Sequence, residues 1–191
     1  MRPLAILIVL LALAACGRGE TRPGASDISG VMPDLSFNMT RANDGAAVTA
    51  DSYRGKAVLL YFGYTHCPDE CPTTLANLAN ALHDLGPRAN DVRVLFVSVD
   101  PVRDTLPILK AYVSTFAPQI DGLRGTGDQI AALARRYRVL YRVTPSSGSK
   151  EAEVMHSDST FFFDPSGHAR YVTTRTDDTK AIAGDVKQLL D

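Results

Sequence analysis

The 191 residues carry 20 Lys plus Arg against 21 Asp plus Glu, a formal net charge of −1, with 45% hydrophobic residues. That length suits one domain with an ample core, and the near-neutral charge without any basic block excludes a nucleic-acid partner. The chain has no internal repeat and is expected to act as a monomer.

Residues 1–15, "MRPLAILIVLLALAA", set Arg2 ahead of an uncharged apolar run, the outline of a secretory signal peptide. The run is shorter than the about 20 residues that span a bilayer. It ends in "LAAC", which resembles a bacterial lipoprotein signal and implies cleavage before Cys16 and lipidation of its thiol. An exported chain meets oxidising conditions in which thiols pair, and lipidation of Cys16 leaves Cys67 and Cys71 as an even pair. Residues 16–33, rich in Gly, Pro and Ser, are expected to be a flexible tether. Its reach as a coil is roughly 20–25 Å, and it leads to a domain over residues 34–191.

Asp44-Gly45 marks a turn between short apolar-polar segments, an N-terminal hairpin. Residues 57–63, "AVLLYFG", read as a strand buried on both faces. Leu75, Leu78, Leu82 and Leu85 then recur at helical spacing until Gly86-Pro87. Residues 93–99, "RVLFVSV", form a second buried strand. A helix from about Asp104 is predicted to turn Ile108, Tyr112 and Phe116 inward beside Leu109 and Val113. Another starts at Thr126, where Thr126 and Gln129 match a capping box, with Ile130, Leu133, Ala134 and Tyr137 inward. A short strand near "VLYRV" precedes the polar loop "TPSSGSKEAE". Residues 160–164 and 169–173 then flank Pro165-Ser166-Gly167-His168 as a hairpin, and a last helix carries Ile182, Val186 and Leu189. This order makes a mixed sheet with helices on both faces and right-handed crossovers. It is an α/β, thioredoxin-like order with an added N-terminal hairpin and an inserted helix.

Cys67 and Cys71 follow the carboxyl end of the first central strand, where open α/β sheets place their sites. Four-residue spacing on a helix puts both sulfurs on one face, and a helix start favours thiolate over thiol. Three chemistries fit such a pair. A disulfide near the upper end of the Cα range, about 6.8 Å, is strained and readily reduced, which suits redox exchange. Two converging thiolates suit Cu(I) or Zn(II). A permanent staple closing so small a loop adds little stability.

The segments "GKAVLLYFGYTHCPDECPTTL", "VSVDPVRDT" and "VMHSDSTFFFDPSG", in that order and spacing, resemble the Sco/SenC copper-chaperone family over about residues 35–190. C-x-x-x-C-P separates this chain from ordinary thioredoxins, which carry C-x-x-C. The resemblance implies copper, Cu(I) or Cu(II), held by Cys67, Cys71 and His156. It implies cytochrome c oxidase subunit II as the partner whose dinuclear copper centre is supplied, with other periplasmic copper carriers or thiol reductants as further partners. The implied place is the periplasmic side of the bacterial envelope, with a lipid anchor in the membrane. The alternative is a thiol-disulfide reductase with Cys67 and Cys71 as its catalytic couple. A peroxidase-like T-x-x-C is not met, because Tyr64 precedes Cys67 by three.

Oxidoreductases of this fold place a cis-proline where this chain has Ser159-Thr160, and His156 lies three residues upstream. Relatives often have aspartate directly before this histidine; Met155 stands there, so if that aspartate orients the imidazole in relatives, either Asp158 takes its place or the role is absent. Asp69 and Glu70 read as acidic residues at a helix start, with either placed to offer an oxygen to Cu(II). Asp104 reads as a helix cap, and Asp100 with Arg103 as supports for the loop beside the site. His66 is expected to point away from its neighbour Cys67. His83 lies too far along the helix to join, and His168 falls in the hairpin turn. The polar loop before His156 is read as letting that histidine swing onto or off the cysteines.

Overall fold

The computed structural model describes residues 24–144 and 153–191. The signal segment, Cys16, the first part of the tether and residues 145–152 of the polar loop lie outside the described residues, and with the loop goes the expected swing of His156. In chain order the elements are β1 (Ser26–Asp27), β2 (Asn38–Arg41), β3 (Ala47–Thr49), β4 (Ala57–Gly63), α1 (Glu70–Leu85), β5 (Val92–Ser98) and α2 (Leu106–Val113). There follow β6 (Ile120–Arg124), α3 (Gly127–Arg136), β7 (Tyr141–Thr144), β8 (Glu153–His156), β9 (Thr160–Phe163), β10 (Ala169–Thr173) and α4 (Thr179–Leu190).

One mixed sheet runs in the order β1-β10-β9-β4-β5-β6-β2-β3, and β7 with β8 forms a separate two-stranded ribbon. Every residue of β4 is buried, as its unbroken apolar run requires of a strand covered on both faces. β5 and β6 lie parallel to it in turn, and β9 closes its other edge antiparallel. α1 buries Leu75, Leu78, Leu82 and Leu85 and packs against α4. It stops at Gly86, whose φ of 59° is the left-handed turn that glycine tolerates. The N-terminal hairpin forms as the turn signal predicts, with Arg41 Nε donating to Asp44 at 3.0 Å. The capping box at the start of α3 is also present, Gln129 N–H donating to Thr126 Oγ1 at 3.2 Å and Thr126 N–H to Gln129 Oε1 at 2.7 Å.

Four features differ from the sequence expectations. β6 was not predicted, because Asp121 and Gly122 interrupt its apolar run. Yet Asp121 is buried and accepts from the Tyr53 hydroxyl at 3.0 Å, while a Cβ on Gly122 would lie 2.7 Å from Leu109 Cγ. α2 starts only at Leu106 and turns Leu109 and Val113 inward, leaving Ile108 43% exposed and Tyr112 and Phe116 half-buried. The last part of the expected tether is docked: β1 pairs with β10, and the N–H of buried Ala25 donates to Asp185 at 2.8 Å. Finally, the polar loop closes on a strand, β8, in register with β7. Among the described residues no helix is long and apolar enough to cross a membrane.

Candidate metal centre

β4 delivers the chain to the site. Beyond Gly63 it bends through Tyr64, Thr65 and His66, and the N–H of Cys67 donates back to the Tyr64 carbonyl at 3.3 Å. Cys67 therefore precedes α1, which begins at Glu70, and the two sulfurs do not share a helix face as expected. They meet by another route: the Cys71 N–H, unpaired within the first helical turn, donates to Cys67 Sγ at 3.3 Å. Cys71 turns back over the strand end, where Gly63 must be bare, since a Cβ there would stand 2.8 Å from Cys71 Sγ. Both cysteines are free thiols in this structure.

The third donor arrives from the ribbon. Tyr141 pairs with His156 across β7 and β8, and the base of the ribbon is fastened by Ser157 N–H to the Leu140 carbonyl at 2.9 Å and Leu140 N–H to Ser157 Oγ at 3.0 Å. His156 Nε2 lies 3.2 Å from Cys71 Sγ. Its Nδ1 lies 3.2 Å from the Ser157 carbonyl, which only accepts, so Nδ1 is the donor of that contact and Nε2 is the nitrogen turned to the sulfur. The rings of Tyr61 and Tyr64 meet the imidazole edge-on at 5.9 and 6.0 Å, and its side chain is 5% exposed. One ligand atom from each of Cys67, Cys71 and His156 falls within 4.8 Å of the others. The group opens on a cavity of about 660 Å³ lined by Tyr64, Cys67, Leu140, Tyr141, Met155 and His156, among others.

The two sulfurs differ sharply. Cys67 is partly exposed, whereas Cys71 has no exposed surface. Burial pushes the Cys71 thiol well up, which corrects the expectation of a thiolate there: desolvation outweighs the helix start. Burial likewise raises the Tyr61 and Tyr64 phenols.

The supporting residues fall into place unevenly. Asp104 is not a helix cap; Thr105 holds that position. The Asp104 carboxylate is fully buried instead, accepting from Thr65 N–H at 3.1 Å, Thr65 Oγ1 at 2.6 Å and Ser98 Oγ at 2.6 Å. It thus ties the cysteine turn to the end of β5. Asp100 pairs with Arg103, and the guanidinium lies 5.8 Å from the centre of the Tyr64 ring. Asp158 stands 4.0 Å from His156 Nδ1, beyond a hydrogen bond, so the orienting role falls instead to the Ser157 carbonyl. That substitution was invisible in the sequence, because a backbone carbonyl has no residue signature. Asp69 and Glu70 sit exposed at the rim of the cavity. His66 turns to Thr65 Oγ1 at 3.0 Å, His83 is almost fully exposed, and His168 lies 3.4 Å from Asp164 in the hairpin turn. None of the three joins the group.

The chain has relatives of known name and structure. Protein SenC of Rhodobacter capsulatus is 37% identical over 152 residues, covering 80% of this chain and 65% of that one. The copper-bound structure of Bradyrhizobium japonicum ScoI matches with a TM-score of 0.75 at 35% identity, over 82% of this chain and 99% of that one. A SCO1/SenC family lipoprotein of Bacillus anthracis matches with a TM-score of 0.70 at 25% identity, over 83% and 95%. The expected thioredoxin-like α/β fold is thus the fold of solved Sco structures. The chain spans about half the length of the curated relatives it matches. The sequence profile of SCO1/SenC fits residues 33–191, the span that holds both cysteines and the histidine, and the chain belongs to the SCO1/SenC family.

Proposed function

We propose that the protein is a copper metallochaperone that delivers copper to the dinuclear copper centre of cytochrome c oxidase subunit II. In this reading it is anchored by lipid on Cys16 at the periplasmic side of the bacterial envelope and works as a monomer. The observation that carries the copper reading is the convergence of Cys67, Cys71 and His156 within 4.8 Å. Two sulfurs and one neutral imidazole nitrogen make a soft three-donor set that suits Cu(I) and accommodates Cu(II). Structural zinc takes four such donors, and among the described residues only these three converge. Delivery follows from unequal access: an incoming ligand meets Cys67 first, while Cys71 and His156 keep their hold from the buried side. The oxidase as recipient rests on the family resemblance. The anchor rests on the "LAAC" segment and on the lipoprotein relative.

A thiol-disulfide reductase is the second reading, favoured by the pairing of an accessible Cys67 with a buried free Cys71. There the Cys67 thiolate attacks a partner disulfide, releasing one partner thiolate. Cys71 then displaces the second, leaving Cys67 and Cys71 oxidised and the partner as a dithiol, and an external thiol reductant resets the pair.

Anaerobic Cu(I) competition on the reduced protein separates the two. The copper reading expects one ion per chain, lost in Cys71→Ser and weakened in His156→Ala, with thiol exchange largely retained in the histidine variant. Copper binding unchanged in Cys71→Ser would sink it, and weak binding by the wild type would leave the reductase.

A further inference from the structure

Five buried side-chain nitrogen or oxygen atoms among the described residues lack a hydrogen-bond partner: the hydroxyls of Tyr61, Tyr112 and Thr160, Arg103 Nη2 and Arg170 Nε. An unmatched buried polar atom is destabilising, so four of them around one site call for a reason. Tyr61 and Thr160 are direct partners across β4 and β9. Arg103 lies over Tyr64, and the Tyr112 ring packs on Phe96, itself against Tyr61. Only Arg170 lies elsewhere, on β10.

Tyr61 is the member that reaches a metal donor. It is fully buried in β4, and its ring stands edge-on to His156. Its hydroxyl interacts electrostatically with the Cys71 sulfur and the Thr74 hydroxyl yet has no hydrogen-bond partner. A thiol is a weak acceptor, and Cys71 already faces His156 Nε2 at 3.2 Å. A thiolate is a strong, charge-assisted acceptor. The phenol is thus an unmatched donor in the metal-free structure, and a metal-bound thiolate would be a charge-assisted acceptor for it.

We propose that Tyr61 is a positioning residue for the copper-loaded state, donating its O–H to the Cys71 thiolate and thereby setting the donor strength of that sulfur. The inference rests on the copper reading above. The thiol proton passes to solvent as the metal binds, and the phenol keeps its own. A hydrogen bond withdraws electron density from a coordinating sulfur, one of the levers by which proteins tune copper redox poise. Cu(II) depends more on that density than Cu(I), so Tyr61 biases the site toward Cu(I).

Tyr61→Phe keeps the ring and its contact with His156 and removes only the hydroxyl. The ratio of Cu(II) to Cu(I) affinity is expected to rise roughly tenfold, the worth of one hydrogen bond to a charged acceptor. The sulfur-to-Cu(II) charge-transfer band should shift, and the metal-free variant should unfold at the same or higher denaturant concentration. Thr74→Val, which removes the other neighbour, should leave the ratio in place. An unchanged ratio and band in Tyr61→Phe overturn the proposal. So does equal weakening of both oxidation states, which marks packing alone, and so does an equal shift in Thr74→Val. Failure of the wild-type protein to bind copper at all instead overturns the copper reading on which the proposal rests.

Discussion

Cys67 and Cys71 are four residues apart and have opposite surroundings. Cys67 is reachable and accepts a backbone N–H, whereas Cys71 is sealed under the turn with its thiol pushed up by burial. Reactivity follows thiolate fraction and access together. Iodoacetamide on the folded, metal-free protein should therefore label Cys67 at least roughly tenfold faster than Cys71, with the difference abolished in denaturant. Peptide mass spectrometry reads the two rates, and equal labelling in the folded state would mean that the seat of Cys71 opens freely. The cysteine pair stood out by residue type and spacing, whereas His156 was singled out only through the resemblance to the Sco/SenC family. The function of Asp104 could not. A carboxylate just before a helix looks like a cap, and only the fold shows that its acceptors are spent on Thr65 and Ser98.

Among the elements, β6 and α2 are coupled through a single missing side chain. Gly122 leaves room for Leu109, and that room lets the helix lie against the strand. Gly122→Ala should cost about 1–3 kcal/mol by overpacking, and Leu109→Ala about 2–5 kcal/mol by leaving a cavity. In the double variant the costs should add to less than their sum, since each relieves the other. Urea unfolding of the four proteins measures the coupling, and strict additivity would count against the contact. The same contact explains what the sequence concealed. β4, β5, α1 and the β9–β10 hairpin announce themselves by unbroken apolar runs, leucine spacing or a Pro-Ser-Gly turn. β6 hides behind a buried Asp and a Gly whose reasons lie on other elements, Tyr53 and Leu109. Ile108 misled the phase of α2 because its apolar character says nothing of its side of the helix. β8 was masked by polar neighbours, since a two-stranded ribbon needs no apolar face of its own.

At the scale of the whole molecule the docked segment of residues 24–33 matters most. It looks like linker because its anchors are mainly hydrogen bonds: Ala25 N–H to Asp185, Ile28 N–H to the Arg170 carbonyl at 2.9 Å, and the β1–β10 pairing. A protein beginning at Asp34 should be less stable than one beginning at Gly24 by about 1–2 kcal/mol, or roughly 3–8 °C in Tm. Calorimetry of the two lengths decides it, and identical transitions would return the segment to the linker. Residues 24–33 thus belong to the folded domain and not to the tether that their composition implied.

The imidazole and the buried sulfur that face each other at 3.2 Å are 85 residues apart in the chain. In an unfolded chain, closing a loop of that length costs about 4 kcal/mol, while Cys67 and Cys71 remain neighbours throughout. A half-folded molecule therefore presents a two-sulfur scavenger and nothing more. The complete three-donor group exists only after the ribbon has brought His156 to Cys71, so on the proposed copper reading tight loading would mark a finished molecule.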